Sequence, residues 1–304
     1  MSQHQVHRVN SIAEFHKMKG LPSPQHPLIS LFDYGSFECS EETHHKNFVF
    51  NFYHISVKRS IGATFRYGQN HYDFDDGVMF FIAPNQVFGI ERIEELATTK
   101  SGWVLMVHPD FLWNTPLAAT IKQYEFFDYA VHEALFLSEK EEATLHAIVR
   151  NIEQEYNGNL DKFSQGIIIS QLETLLNYSD RFYQRQFLTR KASSHKILES
   201  VEKTIEDHFN NEGATGLPTV QYIAQSLNIS PMYLSSLLKS VTGLTTQQHI
   251  HEKLIEKAKE KLSTTELTVS EIAYQLGFEH SQSFSKLFKS KTNSSPIAFR
   301  ASFN

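Results

Sequence analysis

Val220-Gln221-Tyr222-Ile223-Ala224-Gln225-Ser226-Leu227, followed by Leu234-Ser235-Ser236-Leu237-Leu238-Lys239-Ser240, is repeated as Val269-Ser270-Glu271-Ile272-Ala273-Tyr274-Gln275-Leu276, followed by Phe284-Ser285-Lys286-Leu287-Phe288-Lys289-Ser290. Val220, Ile223, Ala224 and Leu227 recur 49 positions later; Ser235, Leu237 and Lys239 recur 50 positions later. The extra residue falls between the two apolar patterns, in a turn. Each copy reads as two short amphipathic helices joined by a few residues, the sequence form of a helix-turn-helix. Two such units in one small domain can enter a DNA major groove twice.

Around this repeat the spacing predicts seven helices from about Lys196 onward. The first runs over 197–209, and Thr219 or a neighbour caps the next. Ser230 is an N-cap candidate with Pro231 at the first helical position. The helix from Pro231 stops at Gly243. A long connecting helix covers about 246–262. The second unit begins at Ser270, turns at Gly277-Phe278 and continues over about 281–291. A short last helix follows Ser295-Pro296.

These 304 residues are long for one core and ample for two domains. The single cysteine, Cys39, excludes an intramolecular disulfide and fits a reducing compartment. The first residues lack the apolar core of a signal peptide, and no apolar run approaches the roughly 20 residues of a membrane helix. A cytoplasmic protein is expected. The net charge of −6 is unevenly spread. Residues 196–304 hold 11 basic and 11 acidic side chains, leaving 17 basic and 23 acidic in the rest. Lys286, Lys289, Lys291 and Arg300 follow Glu279 with no further acid, a bias that suits phosphate contacts.

The N-terminal part reads as strands from about 28 to 110. Phe48 to Val57 is aromatic and β-branched. Thr64–Tyr67 and His71–Phe74 flank a Gly68-Gln-Asn70 hairpin signal. Asp75-Asp76-Gly77 and Ala83–Gln86 mark further turns, around Val78–Ile82, and Ser101–Val107 is another strand. Many short strands with regular turns imply a sandwich or small barrel. Helical periodicity follows over about 138–183. Ser138 and Glu141 form a capping-box pattern, and Leu145, Ile148, Val149, Ile152 and Tyr156 lie at helical spacing. These helices serve either to pair two subunits or to cover their own β domain. The polar stretch 189–195 lacks large apolar residues, and 188–195 is expected to link domains 1–187 and 196–304.

From Ile197 to Arg300 the chain resembles the DNA-binding domain of the AraC/XylS family of transcriptional regulators. The resemblance rests on Ile272-Ala273 with Leu276-Gly277-Phe278, on Ser283-Phe284-Ser285 with Leu287-Phe288-Lys289, and on Ser295-Pro296 with Phe299-Arg300. Asn293 stands where the family usually has Gly, a change that left-handed backbone tolerates in Asn. Leu254 replaces a common Arg, and Phe299 a common Tyr. The resemblance implies an α+β protein: a cupin-like β-barrel sensor with a helical dimerisation element, then an all-α domain with two helix-turn-helix units. It implies that double-stranded DNA is read in two successive major grooves. Base contacts then fall at Met232, Ser235 and Ser236 in the first unit and at Ser281, Gln282 and Lys286 in the second. Gln can bind adenine bidentately and Lys can reach guanine, whereas Met offers only apolar contact. Lys239 and Lys289 are expected on phosphates. A small effector, a homodimer and contact with RNA polymerase complete the expected partners.

Tyr72 to Val87 carries the weaker, cupin-like part of the resemblance. Enzymatic cupins hold metal through a His-x-His pair with a carboxylate and another His. Here His44, His45, His54, His71 and His108 are scattered, and no phosphate loop or nucleophile elbow occurs. Neither a metal, a cofactor nor an enzymatic activity is expected. Phe50, Phe52, Tyr67 and Phe80 are candidate walls of an effector pocket, set against the alternative that such aromatics fill the core. Two other readings stand beside the regulator: a cupin-type enzyme fused to a DNA-binding domain, and a DNA-binding protein whose β domain only dimerises.

Overall fold

A computed structural model describes residues 6–36, 47–59, 66–67, 70–71, 77–89, 101–130, 133–158, 161–189, 191–211 and 216–302. The chain divides into two compact units, Met1–Gln186 and Phe187–Asn304. The architecture is mixed, with sheets in the first unit and helices alone in the described part of the second.

In the first unit, β1 (Val6–Val9) is followed by α1 (Ile12–Met18), β2 (Ile29–Asp33), β3 (Asn47–Phe50) and β4 (Tyr53–Arg59). Next come β5 (Arg66–Tyr67), β6 (Asn70–His71), β7 (Val78–Ile82), β8 (Val87–Gly89) and β9 (Ser101–Val107). Then follow α2 (Leu117–Thr120), β10 (Leu135–Phe136), α3 (Glu139–Asn157) and α4 (Ser164–Thr189). A five-stranded antiparallel sheet runs β10-β7-β4-β9-β2. A three-stranded sheet, β1-β3-β8, pairs β1 with β3 in parallel, and β5 and β6 form a hairpin.

The run 48–57, expected as one strand, is two. The chain bends at Asn51-Phe52, so β3 and β4 join different sheets. Facing side chains of the two sheets make one core, with Phe48 and Phe50 of β3 against Ile82, Val104 and Met106, joined by Phe15 of α1. The opposite face of the large sheet is covered by helices and aromatic turns. Phe81 of β7 lies 4.3 Å, centroid to centroid, from Phe126, and Phe126 stacks on Tyr183 of α4 at 5.6 Å. Burial on both faces explains why β7 is continuously apolar rather than alternating; β4 alternates, with His54 and Ser56 buried between its apolar residues. Among the described pairings none joins the two sheets into a closed barrel.

The capping box at the start of α3 forms as the sequence predicts: the Ser138 backbone N–H donates to the Glu141 carboxylate at 2.9 Å. Arg185 of α4 also donates to that carboxylate, at 2.9 and 2.6 Å. The polar stretch 188–195, expected as a linker, is helical on both sides of residue 190: α4 continues to Thr189, and α5 (Lys191–Asn210) begins two residues later. Its sequence holds no Gly or Pro, and its described residues are helical.

The second unit holds the seven expected helices. After α5 come α6 (Val220–Ser226), α7 (Pro231–Thr242), α8 (Thr246–Thr264), α9 (Val269–Gln275), α10 (Ser281–Thr292) and α11 (Pro296–Ala301). Local chemistry sets their ends. Thr219, Ser230, Thr245, Thr268 and Ser295 each accept a backbone N–H at a helix start. Gly243 and Asn293, 50 positions apart, take the left-handed conformation at φ 77° and 58° after α7 and α10.

Candidate nucleic-acid interface

The two helix pairs superimpose in their bonding. In α6 and its turn, Leu227 N–H donates to Ile223 O and Ile229 N–H to Ala224 O; in α9 and its turn, Leu276 N–H donates to Ile272 O and Phe278 N–H to Ala273 O. The turn residue is left-handed in both, Asn228 at φ 53° and Gly277 at φ 89°. Residues 227–230 join the first pair and 276–280 the second, so the extra residue lies in the second turn.

Each unit has its own core. Ile223, Ala224, Leu234, Leu237 and Leu238 are buried in the first, with Val201 and Ile205 of α5. In the second, Ile272, Ala273, Leu276, Phe284 and Phe288 pack with Leu254, Ile255, Ala258 and Leu262 of α8. Leu254, where the family commonly has Arg, is fully buried in that cluster. Phe299 packs edge-on against Phe288 at 5.5 Å. Arg300 donates through Nε to the Leu262 carbonyl at 3.1 Å, tying α11 to the end of α8.

The positions expected to meet DNA divide sharply. In α10, Gln282, Lys286 and Lys289 are exposed and Ser281 is half-buried. Lys291 extends the same cationic helix; burial and then the Lys291 charge hold the His251 imidazole of α8 below its ordinary pKa. In α7, Met232 and Lys239 are exposed, but the serines point elsewhere. Ser236 is 5% exposed and its hydroxyl donates to the Met232 carbonyl at 2.9 Å. Ser236, expected at a base, is thus buried here, with its hydroxyl turned to the helix's own backbone. Ser235 is half-buried and pairs with Thr246 Oγ1 of α8 at 3.1 Å.

In the first unit the expected effector walls are core. Phe50 and Phe52 stack at 5.0 Å within the inter-sheet cluster, and Phe80 is buried. The side chains of Tyr67 and His71, and all of His44, His45 and the Asp75-Asp76 turn, lie outside the described residues. His54 is buried beside Phe50. Desolvation, with the nearby Lys58 charge, lowers its pKa to about 3. A cavity of about 550 Å³ lies instead between α3 and the β2–β9 end of the large sheet, lined by Phe32, Trp103, Val149, His146 and Arg150 among others. Arg59 and Glu142 form a bidentate pair at its edge, both bonds 2.8 Å. Among the described residues no group of three His, Cys, Asp or Glu side chains is placed to hold a metal ion. No described helix is long and apolar enough to cross a membrane.

Residues 223–302 match a family described as "Helix-turn-helix domain". Over this C-terminal part the chain is similar to AraC-type transcriptional regulators. It is 34% identical over 126 residues to the HTH-type transcriptional activator RhaS of Escherichia coli (strain SE11), covering 39% of this chain and 44% of that one. To the same activator of Escherichia coli O81 (strain ED1a) it is 27% identical over 262 residues, 85% of this chain and 87% of that one. The first of these matches thus spans under half of the relative's length, the second nearly all of it. Among solved structures, the C-terminal domain of the two-component response regulator yesN from Fusobacterium nucleatum is 32% identical. That match covers 34% of this chain and 98% of that one, with a TM-score of 0.31. The family match begins at Ile223, within α6, and so takes in the rest of the first helix pair and all of the second.

Proposed function

We propose that this protein is a sequence-specific transcription regulator that reads double-stranded DNA through α7 and α10 in two successive major grooves. The observation that carries the reading is the pair of equivalent helices whose exposed faces bear Gln282, Lys286 and Lys289 on one and Met232 and Lys239 on the other. α8 connects the two recognition helices, which in this reading stand one DNA turn, about 34 Å, apart. Gln282 and Lys286, with Ser281 beside them, are assigned to base edges in the second groove. Lys239 and Lys289, further along their helices, are assigned to phosphates, which add affinity without sequence information.

The N-terminal unit, 1–187 in this reading, is the sensing and dimerising part. The helices α3 and α4 serve as the pairing element, and the polymerase contact lies on the assembled dimer. The effector is assigned to the groove between α3 and the sheet rather than to Phe50, Phe52 and Phe80, which are buried. Occupancy there can shift regulation only by binding two arrangements of the protein unequally.

Selection of bound sequences from a random duplex pool at fixed physiological salt tests the reading. Two enriched blocks about one helical turn apart are expected. Lys286→Ala with Gln282→Ala relaxes the base preference of one block, whereas Lys289→Ala weakens all sequences alike and lowers the salt slope by about 1. Equal loss on specific and random DNA from both sets would overturn the assignment of roles.

A further inference from the structure

The first recognition helix carries four Ser and Thr hydroxyls, and each is engaged inside the protein. Ser236 donates to the Met232 carbonyl at 2.9 Å and Ser240 to the Ser236 carbonyl at 2.8 Å. Thr242 donates to the Leu238 carbonyl at 2.8 Å, and its oxygen lies 2.9 Å from His249 Nε2 of α8. Ser235 pairs with Thr246 Oγ1 at 3.1 Å. Tyr233, Leu234, Leu237 and Leu238 are buried.

Two side chains of α7 remain clearly exposed, Met232 and Lys239. A helix of this type meets base edges with its N-terminal residues, so Lys239, near the far end, falls to the backbone. Met232, 36% exposed in the first turn, is the side chain left at the bases. A thioether neither donates a hydrogen bond nor accepts one strongly. The major-groove feature that matches an apolar, adaptable side chain is the C5 methyl group of thymine.

We infer that Met232 reads a thymine methyl in the first groove, and that Ser235 is a positioning residue that fixes α7 on α8 through Thr246. The inference rests on the DNA-reading function proposed above and names the ligand chemistry of its first half. It makes the two halves of the site chemically unlike: apolar recognition by α7, hydrogen-bonded recognition by α10.

The test replaces thymine by deoxyuridine in the selected operator, one block at a time, and measures affinity of the full chain at fixed salt. The block whose preference Lys286→Ala relaxes is the second; the other is the first. Uracil in the first block is expected to weaken binding about fourfold per contacted methyl, the worth of one buried methyl group. In Met232→Ala, with a cooperative melting transition retained, the thymine and uracil duplexes bind equally. An operator that binds equally with either base overturns the methyl reading alone. So does a thymine preference that survives in Met232→Ala, or a first block without A·T pairs. For Ser235→Ala, affinity falls on all sequences while the selected bases stay the same, and Ser235→Thr restores it; a changed base at the first block overturns the positioning role. Absence of any enriched operator overturns the DNA-reading function itself.

Discussion

Asn228 makes the turn of the first helix-turn-helix unit and Gly277 makes that of the second. Both are left-handed, yet their surroundings differ. A Cβ at Gly277 would overlap the carbonyl group of Gly216, whereas Asn228 carries its side chain without such a conflict. The recognition helices differ in the same spirit. Ser230 caps α7 through its hydroxyl and Pro231 follows it, while His280 precedes α10 with no side-chain cap bond. α10 instead rests on two buried phenylalanines, Phe284 and Phe288, where α7 has Leu234 and Leu238. The first recognition helix is held by local bonds at its start, the second by aromatic packing and by a close backbone approach at the turn before it. The first has its hydroxyls engaged; the second leaves Gln282 and Lys286 exposed.

Paired substitutions at equivalent positions break or sharpen this contrast. Phe288→Ala is expected to cost the most, about 3–5 kcal/mol, and to exceed Leu238→Ala in chemical denaturation. Equal losses would mean that the second core relaxes around its missing ring. Gly277→Ala follows at about 2–4 kcal/mol, combining a left-handed backbone with the overlap at Gly216, against about 1 kcal/mol for Asn228→Ala. If the two alanines cost the same, the close approach is not what separates the turns. Ser230→Ala is expected to lower stability by about 1 kcal/mol, and His280→Ala by no more than about 0.5 kcal/mol, in thermal unfolding. A larger loss at His280 would assign it a bond that the structure does not contain. The smallest effect belongs to the helix stops: Asn293→Gly should raise stability by a few tenths of a kcal/mol, about as much as Gly243→Asn lowers it.

The helical domain was legible in the sequence because its signals are local. Ser230-Pro231, Ser295-Pro296, Gly243 and Asn293 each fix one helix end within a few residues, and the repeat checks each helix against its copy. Less legible was whatever depends on distant partners. β3 and β4 read as one strand because the bend at Asn51-Phe52 becomes necessary only when two sheets claim the two halves. The first residues read as polar, although β1 pairs in parallel with β3 some forty residues away. For α1 a signal was present: Ser11 accepts the Glu14 N–H at 3.1 Å, and Ile12, Phe15 and His16 share a buried face. Among the site residues, the burial of Ser236 was not legible because its identity fits either side of α7. Only its burial beside Leu237, and the Met232 carbonyl within reach, decide that it turns inward. The effector candidates fared similarly, since Phe50 and Phe52 carry no mark in sequence that separates a wall from a filled core.

The approach of Gly277 to Gly216 bears on how the domain is made. Leu217 beside it, and Phe209 at the end of α5, pack onto the core of the second unit. The segment ahead of the first unit is thus completed by residues synthesised after it. A nascent chain that has released α5 to α8 still lacks Phe284 and Phe288, and leaves Phe209, Leu217 and the apolar stripe of α8 wet. Such a loop closes late, because its ends must find each other across most of the domain. The tandem units are therefore not independent beads emerging in turn: the second core closes only when its last helices meet Phe209 and Leu217, and until then that apolar surface is open to proteases and to aggregation.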